Sequence, residues 1–114
     1  MFVVAGCFGG GGDSHRYSLA PSKDCFAARG DAVRRLTDPI AEASGGWLEI
    51  NPGNATWIGF TENKSEAKRI KRKIEGDLPI PFRQEAVTKR NAVYYASRPT
   101  MPQDMRENIE ACLK

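Results

Sequence analysis

Three cysteines, one histidine and a dense run of cations are the residues with the most distinctive chemistry in this chain. Cys7, Cys25 and Cys112 can act as nucleophiles, acyl acceptors, metal ligands or disulfide partners. The histidine, His15, borders the run Gly9-Gly10-Gly11-Gly12. A Ser-His-Asp triad, a Cys-His dyad or a multi-histidine metal site would have to be built on that stretch, which offers an imidazole little rigid support. The carboxylates Glu49, Glu62, Asp77 and Glu85 are scattered over separate segments, with no motif that pairs them for acid–base work. No base is indicated for Cys25. The residues therefore assign no catalytic side chain, metal ligand or cofactor, and we expect a non-enzymatic protein. The odd cysteine count leaves two readings open. In an oxidising compartment one cysteine needs another task, whereas in a reducing one all three remain thiols.

The cations are Lys64, Lys68, Arg69, Lys71, Arg72 and Lys73. Between them Ala67, Ile70 and Ile74 recur at helical spacing, so an amphipathic helix with a basic outer surface is expected. Asn63 and Glu66 have the spacing of a capping box at its start, and Gly76 supplies a stop. Such a face either contacts an anionic partner (phospholipid headgroups, an acidic wall polymer or nucleic acid) or is a solvated surface balanced by Glu62 and Glu66. Trp57, Tyr94 and Tyr95 lie in strand-like segments. They form an aromatic platform if their sheet face is open, and core if it is covered. The chain carries no RRM, KH or helix-turn-helix signature. Its net charge of +3 is mild.

The elements that position these residues read as one α+β domain. A chain of 114 residues supports one core, and 40% apolar with 27% charged residues is an ordinary globular balance. A short helix is expected from Pro21-Ser22 to Gly30, with Ser22 as its cap and Cys25 and Phe26 facing inward. A strand follows over Asp31–Leu36, with Arg34 and Arg35 on opposite faces. Asp38-Pro39 opens one or two helical turns through Ile40, Ala41 and Ala43. Trp47–Ile50 and Ala55–Phe60 flank Asn51-Pro52-Gly53-Asn54, a hairpin with Pro-Gly at its tip. Centred pairing sets Ile50 opposite Ala55, Glu49 opposite Thr56, Leu48 opposite Trp57 and Trp47 opposite Ile58. After the basic helix come the connection Leu78-Pro79-Ile80-Pro81, a short helix over Phe82–Val87 and a strand over Asn91–Ser97. A last helix is capped by Thr100 with Gln103 and carries the stripe Met105, Ile109, Cys112, Leu113. The expected architecture is a small, mostly antiparallel four-stranded sheet with helices packed on one face, loosely ferredoxin-like. Cys25 and Cys112 then face inward on two adjacent helices.

Val4-Ala5-Gly6-Cys7 is a small-residue run directly before a cysteine. It resembles the lipobox of bacterial lipoproteins, where a peptidase needs small residues beside the cut and the thiol carries the lipid. The basic and apolar parts of a full signal are expected upstream of Met1. The resemblance implies acylation at Cys7 and attachment to the outer face of a membrane in the bacterial cell envelope. Cys25 and Cys112 are then left as a disulfide pair. The glycines after Cys7 lack the Lys-Ser/Thr of a phosphate loop and suit a tether. The expected organisation is residues 1–16 as partial signal, lipobox and tether, and residues 17–114 as the α+β domain. The leading expectation is a non-enzymatic, surface-tethered binding domain for a protein or anionic partner. The alternative is a cytoplasmic nucleic-acid-binding protein that uses the basic helix and the strand aromatics. A weaker third option is a small secreted inhibitor or toxin-like factor.

Overall fold

Both faces of the interior strand Trp47–Ile50 are buried, and that dictates the architecture. Side chains alternate along a strand, so cover is required on both sides. The computed structural model describes residues 16–39, 41–53, 55–77, 85–97 and 101–114. Its elements are α1 (Leu19–Ala28), β1 (Val33–Leu36), β2 (Trp47–Ile50), β3 (Thr56–Phe60), α2 (Lys64–Asp77), β4 (Val87–Lys89), β5 (Ala92–Ala96) and α3 (Gln103–Cys112). The fold is α+β. All strand pairings are antiparallel, and the sheet order is β1-β2-β3-β5-β4.

The sheet has five strands where four were expected. The fifth is β4, at the end of the segment expected to form a short helix over Phe82–Val87. Val87 instead pairs with Tyr94 and Lys89 with Ala92 across a tight turn at Arg90, which has φ 54°. Phe82 and the Leu78–Pro81 connection lie outside the described residues.

The helices do not share one face. Leu48, Ile50, Ile58, Phe60 and Ala92 point to one side, where Phe26 of α1 and Met105 and Ile109 of α3 cover them, with Leu113 just beyond α3. Trp47, Val93 and Tyr95 point to the other side, under Ala67, Ile70 and Ile74 of α2. The result is a sheet between two helical layers rather than a one-faced, ferredoxin-like sandwich. On the first side Cys25 and Cys112 are joined by a disulfide, with their Cα atoms 5.7 Å apart. The stripe Met105, Ile109, Leu113 is as the spacing predicts, and the joined cysteines are the two that the lipobox resemblance leaves as a pair.

The hairpin forms, but its register is shifted by one residue. Leu48 faces Ile58, Glu49 faces Trp57, Ile50 faces Thr56 and Trp47 faces Gly59. The extra loop residue is accommodated because Asn51 adopts φ 55° and Gly53 φ 97°. The Asn51 side chain also accepts from the Ala32 N–H at 3.0 Å, while its own N–H reaches the Ala32 carbonyl. An Asn tolerates this left-handed conformation better than most residues. Since a one-residue shift exchanges faces, Trp57 lies beside Glu49 rather than Leu48.

Helix α1 begins at Leu19, earlier than Pro21-Ser22, so Ser22 is a buried interior residue and not a cap. Pro21 fits because the first turn has no carbonyl waiting for its missing N–H. The chain after β1 forms no helical turn among the described residues. Ala41 and Ala43 instead pack beside Trp47, whose indole N–H donates to the Ala41 carbonyl at 2.6 Å. At α3 the N-cap position is Pro102, with no side-chain cap, and Thr100 lies outside the described residues.

Candidate functional site

The face under α2 is built from a row of four residues in direct cross-strand register: Arg34 on β1, Glu49 on β2, Trp57 on β3 and Tyr95 on β5. Glu49 is buried, at 8% exposure, and a buried carboxylate requires partners. It has two. The Arg34 Nε–H donates to Oε1 at 2.6 Å, and the Trp57 indole N–H donates to Oε2 at 3.0 Å. Trp57 in turn stacks on Tyr95, with ring centroids 5.0 Å apart and planes 29° apart. Trp47 meets the same tyrosine edge-on at 6.0 Å. Burial pushes the Tyr95 phenol up to about 12. Two of the three expected platform residues are thus together. The third, Tyr94, belongs to the opposite face and packs against the α1/α3 core, because adjacent strand residues point apart. Its phenol is also raised, by burial first and then by Glu110 and Tyr17.

Trp57 is half-buried, and α2 lies over the Tyr95 end of this row, where Ala67, Ile70 and Ile74 cluster with Tyr95, Val93 and Trp47. The helix is held at both ends. At its start the Asn63 side chain accepts the Glu66 N–H at 2.9 Å, and Glu66 accepts the Glu62 N–H at 2.8 Å. This is the expected capping box, with the return bond made one residue earlier than usual. Glu66 also takes the Ser44 hydroxyl at 2.8 Å and the Ser44 N–H at 3.1 Å. Partial burial works to raise its carboxyl, but these donors outweigh it and hold the group below its usual range. At the far end Glu75 binds Lys71 at 2.5 Å and accepts the Ala86 N–H at 3.1 Å. The Lys71 bond is the main reason its carboxyl is held low.

Lys64, Lys68, Arg69, Arg72 and Lys73 are exposed on α2 and form no ion pair among the described residues. Only Lys71, of the six expected contact residues, is taken by a carboxylate. The other ion pair joins Arg34 to Glu49. Of the scattered carboxylates, Glu49 is buried while Glu62 and Glu85 are exposed. They do not converge. Among the described residues no three His, Cys, Asp or Glu side chains gather as a metal site. No helix among them is long and apolar enough to cross a membrane. Cys7 and His15 lie outside the described residues.

A buried asparagine plays a part that the sequence did not signal. Asn91, at 3% exposure, accepts the Tyr17 N–H at 2.6 Å and donates to the Tyr17 carbonyl at 2.9 Å. It also donates to the Thr61 carbonyl at 2.7 Å, and its own carbonyl receives the Thr61 N–H. The chain entering α1 is thereby fastened to the segment that launches α2. Arg16 adds a bond to the Glu62 carbonyl at 3.1 Å. An open cleft of about 340 Å³ lies between this segment, Ser44–Gly45 and the end of β3. Its strongest donors, Arg16 and Ser44, are already committed to Glu62 and Glu66. The basic helix over the aromatic row is therefore the stronger candidate site. No family model, curated protein or solved structure matches this chain.

Proposed function

We propose that this protein is a non-enzymatic binding domain on the outer face of a bacterial membrane, anchored by a lipid on Cys7. The observation that carries this reading is the Cys25–Cys112 bond. Structural disulfides persist in oxidising compartments and are rare in the cytosol. That bond also uses two of the three cysteines, leaving Cys7 in the lipobox-like run Val4-Ala5-Gly6-Cys7. A partner for the domain is suggested by Lys64, Lys68, Arg69, Arg72 and Lys73 of α2, which are exposed and form no ion pair among the described residues. Intact-mass analysis of native material, before and after reduction, tests the anchor. The expected result is an acyl mass on Cys7 and two thiols released by reductant. Cys7→Ser should move the protein from the membrane fraction to the soluble one. Three free thiols and no acyl mass would sink the reading.

One observation favours a second reading. Trp57 is half-buried and stacked on Tyr95 on the same sheet face as α2. Cations beside an aromatic surface are the parts from which sequence-tolerant single-strand binding is made. In that case the protein is an intracellular nucleic-acid binder. Salt-sensitive binding of an oligonucleotide that is lost in Trp57→Ala would support it.

A further inference from the structure

We propose that the outer face of α2 is a docking surface for an anionic phospholipid bilayer, so that the anchored domain lies with α2 against the headgroups and α1/α3 away from them. This rests on the membrane-anchored reading for the choice of a bilayer over other polyanions. Three independent observations point the same way.

The first is charge polarity across the sheet. Helix α2 carries six cations against Glu66, Glu75 and Asp77. On the other side of the sheet, α3 carries Asp104, Glu107 and Glu110 against Arg106 alone. A negatively charged plane attracts the α2 layer more strongly than the α1/α3 layer, where Lys23, Arg29, Arg106 and Lys114 offset most of the acidic residues, and that difference favours one orientation. The second is that the attraction is available. Glu75 is taken by Lys71, and Glu66 is turned to Ser44 and Glu62. Lys64, Lys68, Arg69, Arg72 and Lys73 are left exposed around the helix.

The third is where the chain leaves the fold. Arg16 bonds the Glu62 carbonyl, two residues before α2 starts, and Asn91 holds Tyr17 and Thr61 together. The attachment point of the N-terminal segment is thus beside the first turn of α2. Nine peptide steps separate Cys7 from Arg16, a span of at most about 32 Å. The 14 residues of α2 make a rod about 21 Å long. A lipid on Cys7 therefore keeps the start of α2 close enough for the helix to reach the headgroups. The surface potential of an anionic leaflet decays within about 10 Å, so direct apposition is what makes the cations count.

The test uses the full chain without acylation, mixed with vesicles of phosphatidylcholine alone or with added phosphatidylglycerol, and read by co-sedimentation. Because no lipid on Cys7 is involved, a failure here is distinct from a failure of acylation, which mass analysis reads separately. Binding is expected only to the phosphatidylglycerol vesicles, and it should fall steeply with added salt. Each surface cation strengthens such binding roughly fivefold. Lys68→Gln with Arg72→Gln, on the outermost face, should therefore weaken it about 25-fold, and Lys64→Gln with Lys73→Gln, on opposite flanks of the helix, should weaken it less. Lys23→Gln, on exposed α1, should change it little. Equal binding to both vesicle types, or binding that survives both α2 pairs, would overturn the proposal. So would tighter binding to a single-stranded oligonucleotide at the same ionic strength, lost in the same variants, which would assign the helix to nucleic acid instead.

Discussion

The two faces of the sheet solve the same packing problem by different means. On the α1/α3 side, Leu48, Ile50, Ile58 and Phe60 meet Phe26, Met105 and Ile109 in an apolar layer, and a disulfide joins the two covering helices. On the α2 side, one helix packs on one part of a face that also carries an aromatic stack and a buried carboxylate. That helix is fixed by hydrogen bonds at its ends rather than by a covalent link. The contrast shows how the chain separates stability from interaction. The face that carries the exposed cations depends on polar detail, while the opposite face supplies a covalently closed core.

The largest expected effect breaks the covalent side of that comparison. The Cys25–Cys112 bond spans 87 residues of sequence. The chain-entropy treatment of a loop that long gives about 4.6 kcal/mol, a model-dependent figure. Cys25→Ala with Cys112→Ala, compared in urea with the native protein, should lose stability on that scale. A loss below about 1 kcal/mol would mean that α1 and α3 are held by their non-covalent contacts, apolar packing and the Asn108 bonds to Arg29 and Asp31.

The next effect probes the α2 side. Trp47 lies across Gly59, its cross-strand neighbour, and a Cβ placed on Gly59 would sit 2.8 Å from the indole ring. Gly59→Ala should push Trp47 from its place against Tyr95 and the Ala41 carbonyl, destabilising by about 1–3 kcal/mol. Near-ultraviolet circular dichroism should report the altered indole as well as the shifted melting curve. Smaller still is the cap of α2. Asn63→Ala removes the acceptor for the Glu66 N–H and should cost about 1 kcal/mol. Asn63→Asp should restore most of it, since an aspartate accepts the same bond.

These contacts also mark what was legible in the chain. Apolar periodicity was sufficient for α2 and α3, and strand-forming arms around Pro-Gly for the existence of the hairpin, because each depends on local sequence. The Asn63–Glu66 cap was readable for the same reason. Register was not, because it turned on Asn51 adopting a left-handed conformation and bonding Ala32, a residue 19 positions away. The partnership of Glu49 with Trp57 followed from that register and was hidden with it. Placement of helices on both faces required knowing that all of β2 is buried, and alternation in four residues, Trp47-Leu48-Glu49-Ile50, is too polar at Glu49 to announce it. The brief β4 could not be told from a helical turn. Asn91 gave no signal, since its partners Tyr17 and Thr61 are distant in sequence. The cationic face of α2 was readable as composition, but not that Glu66 is turned to Ser44 and Glu62 while Glu75 takes Lys71 alone of the cations.

The smallest effect separates the two faces by pH. Glu66 and Glu75, which fasten the ends of α2, have carboxyls held below their usual range by their donors. A folded-state pKa below the unfolded one contributes stability that is complete above the unfolded value, about 4.3 for Glu. That contribution disappears as pH falls through the lower folded value. On the other face Asp31, just beyond α1, accepts the Asn108 amide of α3 at 2.8 Å, but α1 and α3 are also joined by a disulfide indifferent to acid. Tyr95 works in the opposite sense. Its raised phenol contributes stability that is complete below about 10 and is lost as pH rises towards about 12. Hydrogen exchange should therefore show amides of α2 losing protection before those of α3 on acidification below about 4, whereas alkalinisation weakens both faces, because Tyr94 on the α1/α3 side is raised as well. Glu66→Gln with Glu75→Gln should flatten the acid limb and leave the alkaline one in place. If α2 and α3 instead lose protection together at every pH, the faces unfold as one unit and the end contacts of α2 do not set its local stability.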